Sequence, residues 1–72
     1  PAPESDPHGL SARERAVLTC IGEGMTYKEI AARLGLSVKS VETYRVRLTR
    51  KLACTSKVEL AHHAARLGLV NR

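Results

Sequence analysis

The chain has 72 residues, 43% of them hydrophobic and 26% charged, a composition that fits one small folded domain and excludes both a second domain and a disordered tail. Phe and Trp are absent and tyrosine occurs only as Tyr27 and Tyr44, so the core is expected to be Leu, Val, Ile and Ala packed in helices rather than a β-sandwich. A net charge of +5 suggests an acidic partner, and apolar runs no longer than three residues exclude a membrane span or secretory leader, so a soluble, cytoplasmic chain is expected.

Residues 1–9 hold Pro1, Pro3 and Pro7 among polar residues without apolar periodicity, and this stretch reads as a linker. The chain starts without Met, so it is expected to be a fragment of a longer protein, with its folded domain at 10–72. Ser11 and Glu14 form a capping box that opens a helix over about 12–23, with Leu10, Val17, Leu18 and Ile21 as its apolar stripe and Gly24 as its stop. The box repeats at Thr26 and Glu29, giving a two-turn helix over 27–34 that Gly35 ends. Ser37 caps a third helix, 38–52, and a further box at Ser56 and Glu59 opens a fourth, 57–67, ending near Gly68. The expected fold is therefore all-α, a four-helix domain without strands. The second and third helices, joined by a three-residue turn containing Gly35, have the spacing of a helix-turn-helix.

The positive charge is concentrated on the third helix: residues 37–52 carry five basic side chains and one acidic, whereas residues 1–36 carry four basic and five acidic. At 100° per residue from Val38, the side chains of Val41, Leu48 and Leu52 fall at about 280° to 320°, with Tyr44 at the edge near 240°. That stripe turns inward. The opposite side, centred near about 120°, presents Lys39, Thr43, Val46 and Arg50, flanked by Arg47 and by Glu42 near 40°. Snorkelling surface cations account for Arg47, Arg50 and Lys51 without any ligand. They do not account for Val46, an apolar β-branched residue in a polar face, which a major-groove reader can place against a thymine methyl. For Glu42 the choice is between accepting a hydrogen bond from cytosine and pairing within the helix with Arg45 or Lys39. On the fourth helix Leu60, Ala64 and Leu67 form the inward stripe, while Val58, Ala61 and Ala65 lie opposite, a small apolar face suited to a two-fold dimer.

Cys20 and Cys54 read as reduced thiols. Adjacent His62 and His63 point about 100° apart and cannot chelate one metal, so no metal or cofactor is expected. No nucleophile stands beside a base, no carboxylates pair and no Gly-rich loop follows a strand, which argues against an enzyme.

The blocks Leu10 to Leu18, Gly24 to Ala31, Leu36 to Arg45 and Arg50 to Leu52 resemble the LuxR/FixJ-type (GerE-like) DNA-binding domain of bacterial transcription regulators, over residues 10–70. The resemblance implies the C-terminal effector domain of a response regulator or ligand-sensing regulator, reading double-stranded DNA in the major groove as a homodimer on an inverted repeat, with its fourth helix contributing to dimerisation. It implies base-reading positions at Lys39, Glu42, Thr43 and Val46. Phosphate contacts are implied at Thr26, Tyr27, Lys28, Arg47, Arg50 and Lys51. RNA polymerase is a further candidate partner. Two departures stand out: position 27 is often Asn and position 42 commonly Lys in the family, so the specificity of a Lys-bearing relative does not transfer to Glu42. Residues 53 and 54 hold Ala and Cys where the family usually has Gly and a small apolar residue.

Two other readings compete. A sigma-factor promoter-recognition domain shares the Gly24-x-Thr26-Tyr27-x-Glu29-Ile30-Ala31 pattern and binds RNA polymerase, but such domains usually end soon after the recognition helix. A protein-interaction bundle would carry its positive charge for solubility alone.

Overall fold

In the computed structural model, which describes residues 9–70, the chain forms four helices: α1 (Ala12–Gly22), α2 (Tyr27–Leu34), α3 (Val38–Lys51) and α4 (Lys57–Arg66). The proline-rich stretch read as a linker lies outside the described residues except for Gly9. Three helices close one residue before the expected end, because Glu23, Leu52 and Leu67 are the half-helical caps of α1, α3 and α4. No strand occurs among the described residues.

Each helix starts where a hydroxyl can accept from a free amide of the first turn. Ser11 Oγ accepts from the Glu14 amide at 3.1 Å while Glu14 Oε1 accepts from the Ser11 amide at 2.9 Å. Thr26 and Glu29 reproduce this pair at 3.1 and 2.8 Å. At α4 the box is only half formed: Ser56 accepts from the Glu59 amide at 3.2 Å, but the Glu59 carboxylate passes over Ser56 to the amide and hydroxyl of Thr55, at 2.6 and 3.0 Å. Those two donors hold the Glu59 carboxyl below its ordinary range.

Leu10, Val17, Leu18, Ile21, Ile30, Val41, Leu48 and Leu60 are fully buried, drawing one core from all four helices and from Leu10, which precedes the Ser11 cap of α1. Each such side chain contributes about 1.5–3 kcal/mol relative to exposure. Cys20 and Cys54 are buried and unpaired, and burial pushes both thiols up. α1 crosses α4 at close range: a Cβ placed on Gly22 would sit 2.6 Å from the Ala64 Cβ, so only glycine lets the two backbones approach this far. The helix-turn-helix is α2, the Gly35-Leu36-Ser37 turn and α3, with Gly35 in the left-handed conformation at φ 69°. Its first helix is tied down from α1, where an Arg13 guanidinium nitrogen donates to the Leu34 carbonyl at 3.2 Å.

Candidate nucleic-acid interface

The inward stripe of α3 packs as its periodicity predicts, with Val41 and Leu48 fully buried and Tyr44 and Leu52 half-buried. This fixes the rotation of the helix and leaves Lys39, Glu42, Thr43, Val46, Arg47 and Arg50 exposed. Val46 keeps 40% of its surface open, an apolar target in the middle of that charged side. Glu42 enters no ion pair: among the described residues the pairs are Arg33–Glu23 at 3.9 Å and Lys51–Glu14 at 2.7 Å, so neither Arg45 nor Lys39 claims its carboxylate. Thr43 donates its hydroxyl proton to the Lys39 carbonyl at 3.1 Å, which leaves its oxygen as an acceptor.

The candidate phosphate residues divide into four kinds. Lys28, Arg47 and Arg50 are exposed, and Arg47 is held with its Cζ 5.4 Å from the centre of the Tyr44 ring. Tyr27 is half-buried against the core, and the Lys57 ammonium lies 4.7 Å from its ring centre. Its ring packs on the core cluster, with Lys57 at the start of α4 in side-chain reach. Thr26 is exposed, but its oxygen already caps α2. Lys51 differs from all of these, because its ammonium donates to the Glu14 carboxylate at 2.7 Å and to the Gly9 carbonyl at 3.0 Å. Grouping it with the free cations of α3 overlooked this bond, which joins residues 37 positions apart in the chain.

Sequence reasoning placed Tyr44 only at the edge of the core stripe and left Lys57 out. The three-residue spacing from Tyr44 to Arg47 was the available signal for the first contact. Nothing local signals the second, since Tyr27 and Lys57 lie far apart in the chain and meet only where the starts of α2 and α4 come within side-chain reach. Ser40, Thr43, Tyr44 and Arg47 together line a shallow hollow of about 170 Å³ on the flank of the outward side.

On α4, Val58 is 64% exposed, while Ala65 is half-buried. Ala61 was expected on the same open face but is half-buried and packs against the core cluster, about 60° around the helix from Ala64, so the open face is narrower than expected. Among the described residues no group of three or more His, Cys, Asp or Glu side chains stands together, and no helix is long and apolar enough to cross a membrane.

The family model described as bacterial regulatory proteins, luxR family, matches residues 8–64. The chain belongs to this family. It is a LuxR-type helix-turn-helix DNA-binding domain, the effector type found in transcription regulators. Among relatives it is 51% identical over 53 residues to transcriptional regulatory protein UhpA of Salmonella typhimurium, covering 74% of this chain and 27% of that protein. It is 43% identical over 61 residues to transcriptional regulatory protein FixJ of Azorhizobium caulinodans, covering 85% of this chain and 29% of that one. To response regulator UvrY of Escherichia coli it is 43% identical over 68 residues, covering 94% of this chain and 31% of that protein. The LuxR-type chain thus spans under a third of the length of these three relatives.

Proposed function

We propose that this LuxR-type domain reads double-stranded DNA by seating α3 in the major groove, with Lys39, Glu42, Thr43 and Val46 toward base edges. Lys28, Arg47 and Arg50 neutralise phosphates on either side, and Thr26 adds a polar contact at the start of α2. The observation that carries this reading is the outward side of α3, where an exposed valine and an unpaired glutamate stand among free cations. Cations alone give affinity without choice. An apolar group and an acceptor among them add discrimination, against a thymine methyl and a cytosine amino group respectively.

Two copies meet through α4 around Val58 and Ala65 and bind an inverted repeat, because a two-fold protein requires a two-fold site. The whole protein acts in a bacterial cytoplasm as a regulator of the response-regulator or ligand-sensing kind, its signal arriving from a domain outside this chain. RNA polymerase is the natural second partner of such a regulator.

Binding to random duplex DNA across a salt series tests the core of this proposal. With Lys51 engaged internally, about three cations per subunit remain, and a bound dimer is expected to give a log–log salt slope of about −5. Salt-independent affinity, or no binding at low salt, would leave the positive charge as a solubility feature of a protein-interaction bundle.

A further inference from the structure

The hollow on the flank of α3 has a donor-rich lining, and two of its residues, Ser40 and Tyr44, have no role in the DNA-binding proposal so far. Arg47 has no carboxylate partner among the described residues; its guanidinium lies instead over the Tyr44 ring, 5.4 Å from the centre. The ring is half-buried against the core and therefore fixed by packing, while Arg47 itself is exposed. A guanidinium held over an aromatic face by its cation–π attraction spends no N–H group on that contact and keeps its donors for a ligand. Beside it, Ser40 Oγ accepts from Ser37 Oγ at 3.0 Å, which leaves the Ser40 proton available. Thr43 has turned its own proton to the Lys39 carbonyl. The lining of the hollow thus offers two donors, one of them permanently charged, and the only acidic residue of α3, Glu42, is not part of it.

We infer that this hollow receives one non-bridging oxygen of a DNA backbone phosphate, bound by Arg47 and Ser40, and that Tyr44 is the positioning residue that holds Arg47 ready for it. The inference rests on the DNA-binding reading above and names one contact within it. The position fits: Ser40, Tyr44 and Arg47 lie between the outward side, to which Thr43 belongs, and the buried stripe, where a helix seated in the groove meets the sugar–phosphate wall rather than base edges. A pre-stacked Arg loses less side-chain freedom on binding than a free one, and this is what Tyr44 supplies.

The test measures affinity for a short random-sequence duplex at low salt, for the whole chain and its variants, with thermal melts to verify folding. Tyr44→Phe keeps the ring and is expected to bind as the parent does. Tyr44→Leu keeps the apolar packing and loses the ring, and a loss of about two- to fivefold is expected, the binding equivalent of an exposed cation–π contact. Ser40→Ala is expected to lose about twofold. In an Arg47→Ala background the Tyr44→Leu change has no further effect, because the group it positions is gone. A Tyr44→Leu loss that persists undiminished in that background overturns the inference, as does a Phe variant that binds as weakly as the Leu variant. Proton NMR of the parent decides the question even where the Leu variant fails to fold. An upfield ring-current shift of the Arg47 δ protons is expected, and random-coil positions for them overturn the stacking. A parent that binds no duplex at all overturns the DNA reading, a result distinct from a parent that binds with no dependence on Tyr44.

Discussion

Lys51, in the last turn of α3, donates to the buried carboxylate of Glu14, in the first turn of α1, at 2.7 Å. Burial by itself pushes the Glu14 carboxyl up, but the Lys51 hydrogen bond and charge and the Ser11 amide and hydroxyl outweigh it and hold the group below its ordinary value of 4.5. A carboxyl with a lower pKa folded than unfolded stabilises the fold above the unfolded value, and that contribution is lost as the pH falls through the folded one. Acid denaturation is therefore expected to set in below pH 4.5, with Glu14→Gln showing a flatter acid limb than the parent in melts followed across pH. At neutral pH Lys51→Met leaves Glu14 with one fewer partner and is expected to cost about 1–2 kcal/mol, reduced from a fully buried pair because Lys51 is partly open to water.

Ala53 adopts φ 55°, the one left-handed non-glycine residue among those described, in the turn between α3 and α4. An L-side chain in that region costs about 1–2 kcal/mol, part of which glycine returns through its greater freedom in the unfolded chain. Ala53→Gly is expected to raise stability by about 0.5–1 kcal/mol, measured by urea unfolding. A destabilised variant would contradict the strain assigned to this turn.

Gly22 faces Ala64 where α1 crosses α4. Gly22→Ala brings two Cβ atoms into overlap on backbones that cannot rotate away, with an expected loss of about 1–3 kcal/mol despite the better helix propensity of Ala. Adding Ala64→Gly removes the clash, and the double variant is expected to recover part of that loss in the same unfolding experiment.

Glu42 and Val46 are expected to govern sequence choice rather than affinity. Glu42→Ala should relax preference at one C·G pair per half-site by about 1–3 kcal/mol and leave random-DNA binding unchanged or tighter. Val46→Ala should relax preference for one thymine, and uracil at that position should reproduce the effect in the parent. Selection from a random DNA pool measures both, and identical selected sequences from the Glu42 variant and the parent would remove it from the reading set.

For the dimer, Val58→Glu is the cleanest variant, since the side chain is largely open and its replacement leaves the core alone. It should abolish cooperative binding to an inverted repeat while half-site binding and circular dichroism hold. Ala61→Glu tests the interface less well, because that residue packs against the core and its loss of binding would be mixed with unfolding.

What the sequence made legible is what short-range physics determines. Ser11, Thr26, Ser37 and Ser56 announce each helix start because a cap and its partner lie three residues apart, and Val41, Leu48 and Leu60 reveal their faces by periodicity. Lys51 looked like Arg50 because the two share a helix end, and only the approach of α1 separates their roles. Ala61 lies about 60° from Ala64 and about 100° from Leu60 on a helical wheel, so it flanks the inward stripe, and grouping it with Val58 and Ala65 passed over that flank position. The Glu59 carboxylate reaching Thr55 instead of Ser56 follows from the turn leaving α3, whose shape the capping pattern alone does not encode.

With no tryptophan, the two tyrosines are the only strong intrinsic fluorophores of the chain, and they sit one on each helix of the helix-turn-helix. Both rings are half-buried, and both lie against a cation. Ultraviolet emission therefore originates in α2 and α3 and reports the surroundings of those two rings, whereas circular dichroism weighs all four helices. Unfolding curves recorded by the two signals superimpose only if the DNA-reading pair and its supporting helices melt as one unit, so the native chain carries its own unlabelled probe of cooperativity.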